Sequence, residues 1–185
     1  MSKEIVVGDT SECWDPVKEK FVAPFRASII IEHSLYAISL WEIKYKRSFF
    51  KEDEAPQTYD EIVDYIKFMT ISDRTDPNAY THITWDNINE VYTYMNEQQT
   101  ATKIKKRRTN SKRNGEYITS EVIYFWMSSY NIPFDCDKWH LSRLLTLIEV
   151  ANEKNAPPDK MSKRATAKSF AELNELRRMK FGTNG

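Results

Sequence analysis

Hydrophobic positions along this chain recur mostly at helical spacing. Ile62, Tyr65, Ile66 and Met69 follow at i, i+3, i+4 and i+7, and Thr58 with Glu61 forms a capping box ahead of them. Ile88, Val91, Tyr92 and Met95 repeat the spacing behind Thr84. Between these two patterns comes Asp76-Pro77, which starts a turn or a short helix. Ser34 caps a predicted helix over 35–46, with Leu35, Ile38, Trp41 and Tyr45 near one face. The stretch EVIYFWMSSY, capped by Thr119 or Ser120, is apolar almost all round, as expected for a helix buried on most sides. Asn131-Ile132-Pro133 ends it, because proline disfavours helix at the residue before it. Asp135 or Asp137 is placed to cap the next helix, whose core stripe is Leu141, Leu144, Leu145 and Ile148. Pro157-Pro158 stops that helix. A last one starts at Ser162 or Ser169, carries Phe170, Leu173 and Leu176, and ends in Lys and Arg, as the helix dipole favours.

The first 32 residues follow a different pattern. Lys3 to Val7 and Ala27 to Ile31 read as strands. Phe21-Val22-Ala23 is a third strand candidate, separated from the last by Pro24, with turns at Gly8-Asp9-Thr10 and Trp14-Asp15-Pro16. The expected fold is therefore mainly α: a helical bundle with a small N-terminal β-hairpin or sheet. Its parts are a β element over 1–32, a helical body over 33–156 and a basic C-terminal helix or tail over 157–185. Trp126, Trp139, Leu141, Leu144, Leu145 and Ile148 are the expected core of the second half, with Trp139 packing its helix against the 120–130 helix. His140 and Arg143 are expected at the rim.

Composition supports a packed domain. Apolar residues make up 41% of the 185, too many for a disordered chain, and four glycines leave few positions for cheap positive φ. Charge changes the picture more. Net charge is zero, yet residues 1–102 carry 10 Lys and Arg against 18 Asp and Glu, while 103–185 carry 17 against 9. An acidic front half and a basic back half can neutralise each other within a chain or between copies, or the back half can meet an acidic partner. The stretch KIKKRRTNSKRNG, 103–115, has basic residues and no acid. It is read first as a solvated loop that meets acidic surface on a neighbouring copy. A nonspecific phosphate contact through Lys103, Lys105, Lys106, Arg107, Arg108, Lys112 and Arg113 is the weaker alternative, because no aromatics are interleaved for base stacking.

Candidate chemistry is sparse. Cys13 and Cys136 form no CxxC pair, which argues against zinc and for a reducing compartment. His33, His82 and His140 sit in no metal-ligand pattern. No P-loop or GxGxxG is present, so no cofactor is expected. The N-terminus shows no long apolar stretch of a signal peptide, and no apolar run approaches a bilayer span. Cys136 and His140, four apart, are the one pair that could act as nucleophile and base. Without a glycine-rich turn for an oxyanion hole, or an orienting third residue, the pair is read as structural. Asp135 and Asp137 are read as caps rather than cation ligands.

The segments IEHSLYAISLWEIKYKRSFF, ITSEVIYFWMSSYNI and IPFDCDKWHLSRLLTLIEVANEKNAPPDKMSKR, in that order, resemble the tail assembly chaperones of tailed bacteriophages, typically encoded beside the tape measure protein. The resemblance spans most of the chain and rests on the character and order of segments. It implies a protein without catalytic activity that works in the host cytoplasm during phage assembly. The partner would be the tape measure protein, with the major tail protein as a second candidate, and the chaperone would form homo-oligomers. Binding would be helix-in-groove, with no membrane involved. The contacts expected to serve it are Trp41, Trp85, Tyr92, the basic residues 105–108, His140, Arg143, Arg177 and Arg178. A structural component of the virion, such as a head–tail connector, is the alternative.

Overall fold

The computed structural model describes residues 2–8, 12–17, 19–22, 24–51, 53–102, 117–155 and 163–182. It is mainly α with a small antiparallel sheet at the N-terminus. Two compact units divide it, Met1–Glu153 and Lys154–Gly185.

In the first unit, β1 (Lys3–Gly8) pairs antiparallel with β4 (Arg26–Ile31), Lys3 opposite Ile31 and Gly8 opposite Arg26. Alternation decides which face is inside: Ile5, Val7, Ile29 and Ile31 are buried, while Val6 and Ile30 face outward. Gly8 has φ +113°, and a Cβ there would lie 1.9 Å from the Phe25 carbonyl oxygen, so only glycine fits. Between these strands, β2 (Cys13–Asp15) and β3 (Lys20–Val22) form a second two-stranded ribbon. Trp14 and Asp15, expected in a turn, are strand residues, and the turn falls at Pro16 and Val17. The β element is not a separate part of the body. Its inward side chains belong to the same core as the helices.

Strand β4 is the frame for the helical part. Its free edge takes the chain after α2: Glu32 N–H donates to Met69 O at 2.8 Å, and Ile71 N–H to Ile30 O at 2.9 Å. Just beyond its end, Leu141 N–H donates to His33 O at 2.7 Å. Helix α1 (Leu35–Tyr45) is capped by Ser34 and ends with Lys46 in the left-handed region. Helix α2 (Tyr59–Met69) lies against α1, tied by Asp64, which accepts from Lys44, Tyr45 and Lys67. Burial opposes ionisation of Asp64, but those donors outweigh it and hold the carboxyl down at about 2.

The capping box of α2 is complete. Thr58 Oγ1 accepts from Glu61 N–H at 3.3 Å and Glu61 Oε2 from Thr58 N–H at 3.4 Å. Thr58→Ala is expected to cost about 1 kcal/mol in urea denaturation, and an unchanged midpoint would contradict the cap's role.

A 3-10 helix over Pro77–His82, capped by Asp76, leads to α3 (Trp85–Met95) behind Thr84. Helix α3 is pinned to β1 by Asn87 Nδ2 donating to Val6 O at 2.9 Å. Helix α4 (Ser120–Ser129) buries only Ser120, Ile123 and Met127 fully, so it is less enclosed than its composition suggests. Asp135 and Asp137 do not cap a helix. After Pro133 the chain makes a 3-10 helix over Phe134–Lys138, and α5 (Leu141–Asn155) starts three residues later. Leu141, Leu144 and Ile148 are buried. Trp126, Trp139 and Leu145 are partly buried and pack against the core.

The described part of the second unit is α6 (Lys163–Phe181), in which Ser169 is an interior residue rather than the start. Its side chains from Phe170 to Phe181 are exposed. The basic run 103–115, Pro157-Pro158 and Ser162 lie outside the described residues.

Candidate functional site

Among the described residues, His33 and His140 are engaged in hydrogen bonds within the fold. His33 is buried between β4 and α1, and its Nδ1 lies 2.6 Å from Tyr65 Oη. His140 sits just before α5. Its Nδ1 is 2.9 Å from Ser142 Oγ and its Nε2 is 3.3 Å from Tyr94 O. The two imidazoles are 5.5 Å apart, edge to face, and Tyr94 closes the cluster with its hydroxyl donating to Glu32 Oε1 at 2.7 Å. Burial, and then the charge His140 would carry, push His33 down to about 3. Burial lowers His140 as well. Both rings are therefore neutral near pH 7 and act as hydrogen-bonding joints between β4, α2, α3 and α5.

Cys136 and His140 do not form a nucleophile–base pair, since both nitrogens of His140 are committed elsewhere. Burial and the nearby Asp135 carboxylate push the Cys136 thiol up, against Arg143, away from the thiolate a nucleophile needs. His140 also corrects the expectation that it lies at the rim: it is 2% exposed. Trp41, expected at a partner contact, is fully buried, packed near Tyr45 and Phe49. Among the described residues, no group of three His, Cys, Asp or Glu side chains is placed to hold a metal ion. No helix there is long and apolar enough to cross a membrane.

Other expected contacts are accessible. Trp85 is 62% exposed and meets Tyr59 edge to face. Tyr92 lines an apolar cavity of about 120 Å³ between α2 and α3, with Ile62, Ile66, Val91 and Met95. The Arg143 guanidinium lies 3.9 Å over the Trp139 ring, a cation–π contact that shields the indole. Arg177 and Arg178 are on α6 among exposed Phe170, Leu173, Leu176, Met179 and Phe181. Lys105 to Arg108 lie outside the described residues.

Sequence reasoning missed two features. One is Glu42, a buried carboxylate on α1 that receives the start of α4. A lone acid on the core face of SLYAISLWEIKY was the available signal. The other is a groove of about 510 Å³ between α4 and α5, lined by Trp126, Tyr130, Leu145, Ile148, Glu149 and Asn152, with Ile118 from the segment before α4. Its walls are aromatic and aliphatic, with Glu149 and Asn152 as polar lining residues.

The fold and its surfaces thus define a mainly α body with apolar slots and an exposed basic helix. Comparison with protein-family models, curated proteins and solved structures returned no match.

Proposed function

We propose that this chain is a binding protein without catalytic activity, a phage tail assembly chaperone that holds the tape measure protein before tail tube subunits polymerise around it. Its partner chemistry is a long amphipathic helix, and its place of action is the host cytoplasm. The resemblance of the segments around Trp41, Trp126 and Trp139 supplies the identity of the partner. The observation that carries the binding role is the contrast between the two kinds of side chain. His33, His140, Cys136 and Glu42 are spent on the fold, while Trp85, Phe125, Phe134 and, on α6, Phe170, Leu173, Leu176, Met179 and Phe181 stay exposed. Exposed aromatic and leucine side chains, and apolar slots, are each features that helix recognition uses.

Co-expression with a fragment of the same phage's tape measure protein tests the reading. The two are expected to co-elute. Free elution of both, with the chaperone folded, overturns it.

A further inference from the structure

Helix α6 and the α4–α5 groove are complementary. Phe170, Leu173 and Leu176 recur every three residues on α6, and Arg177 and Lys180 follow one turn further along the same side. Phe170, Leu173 and Leu176 are 63%, 44% and 64% exposed, so this apolar row is uncovered among the described residues. The groove is walled by Trp126 and Tyr130 from α4 and its C-terminal end and by Leu145 and Ile148 from α5, and Glu149 follows Ile148 on α5, so apolar side chains stand with charge opposite in sign to that of α6. Charge on a larger scale agrees. Residues 154–185 carry eight Lys and Arg against three Asp and Glu, while 117–153 carry two against five. Two α6 helices pairing with each other would instead bring like charge together. An acidic, apolar-walled groove is the better seat for a basic helix.

We propose that α6 of one copy docks in the α4–α5 groove of a second copy, its apolar row against Trp126, Tyr130 and Leu145 and its Arg177 and Lys180 beside Glu149. The contact is arm-into-groove, so two copies exchange arms to close a dimer, or pass arms onward to build a larger assembly. It stands apart from the tape measure reading, because self-association requires no partner. If the groove is filled this way, the apolar cavity beside Tyr92 and the exposed Trp85 remain open for another chain.

Sedimentation velocity of the full chain, over concentrations up to about 0.1 mM at low and high salt, tests it. Self-association that weakens with salt is expected. Leu173→Asp changes an exposed residue and leaves the body folded, and it is expected to weaken association by roughly tenfold or more. Glu149→Arg alone, and Arg177→Glu with Lys180→Glu, are each expected to weaken it too. An equimolar mixture of these two charge variants is expected to associate more tightly than either alone, since reversed arms then meet reversed rims. A monomer throughout, as an arm held within its own chain would give, overturns the proposal. So does association that Leu173→Asp leaves unchanged, or a mixture no tighter than its components.

Discussion

Glu42→Ala is expected to lower the folding free energy by about 3 to 5 kcal/mol, a large part of the 5 to 15 typical of a domain. The side chain lies on the core face of α1, beside Trp41, and is 7% exposed. Its Oε2 accepts from Ser120 N–H at 2.8 Å and from Ser120 Oγ at 2.5 Å, and its Oε1 from Phe49 N–H at 2.8 Å. One carboxylate therefore satisfies the loop after α1 and the first turn of α4. The N-terminus of α4 needs this, because Thr119 makes no side-chain cap and the positive end of the helix dipole points at whatever sits there. Alanine would leave Ser120 N–H, on a residue only 1% exposed, without a partner, and a buried donor so stranded costs about 1 to 3 kcal/mol by itself. Gln in its place keeps one acceptor but turns an amide toward donors, so Glu42→Gln should fall between alanine and the native chain. Urea denaturation measures both. A double-mutant cycle with Ser120→Ala then isolates the hydroxyl bond alone, and a cost of Glu42→Ala near zero would remove Glu42 as the anchor of α4.

Glu42 also explains why α1 was harder to read than α2 or α3. Periodicity finds a helix by contrast between an apolar and a polar face. In α2 the contrast is clean, and Thr58 and Glu61 mark its start through bonds between near neighbours, so the residues themselves disclose the cap. In α1 an acid occupies the inner face while Tyr36 and Ile43 occupy the outer, and the two faces blur. The same distinction separates the readings of α5. Its stripe of Leu141, Leu144 and Ile148 was legible, being local. Its starting point was not, because the chain after Pro133 forms a 3-10 helix and the α5 register is set by Leu141 N–H reaching His33 O. Trp41 and His140 failed as surface residues for one reason: residue type does not say which way a side chain points when its partners are distant in sequence. His140 goes inside because Tyr94 O, 46 residues earlier, meets its Nε2. The β4 edge contacts with Met69 and Ile71 are equally non-local. The α4–α5 groove is a gap between two helices, and no spacing within either helix encodes it.

The histidine joint makes stability fall as the pH drops below about 6.5. His33 titrates at about 3 in the fold, below the ordinary value near 6.5 that it regains on unfolding. Below 6.5 the unfolded chain therefore takes up a proton that the folded chain refuses, and each such proton favours unfolding. The stability this neutral ring preserves is complete above about 6.5 and is lost as pH falls toward the folded value. For His33 alone the loss between pH 7.5 and pH 5 is about 2 kcal/mol. His140, also lowered by burial, adds in the same direction, with Glu32 and Glu97 opposing through their charge. Carboxylates held low, such as Asp64, lose their contribution at more acid pH, so the window from 7.5 to 5 reports mainly the histidines. Urea denaturation at half-unit intervals measures the curve. His33→Gln retains a polar side chain for Tyr65 Oη and does not titrate, so it should lower stability at pH 7.5 yet flatten the slope by about 2 kcal/mol over this window. A native curve that stays level or rises toward pH 5 would mean that the two rings are hydrated in solution. The sealed joint between β4, α2, α3 and α5 would then be lost as the element that sets the register of α5 and, with it, the shape of the α4–α5 groove.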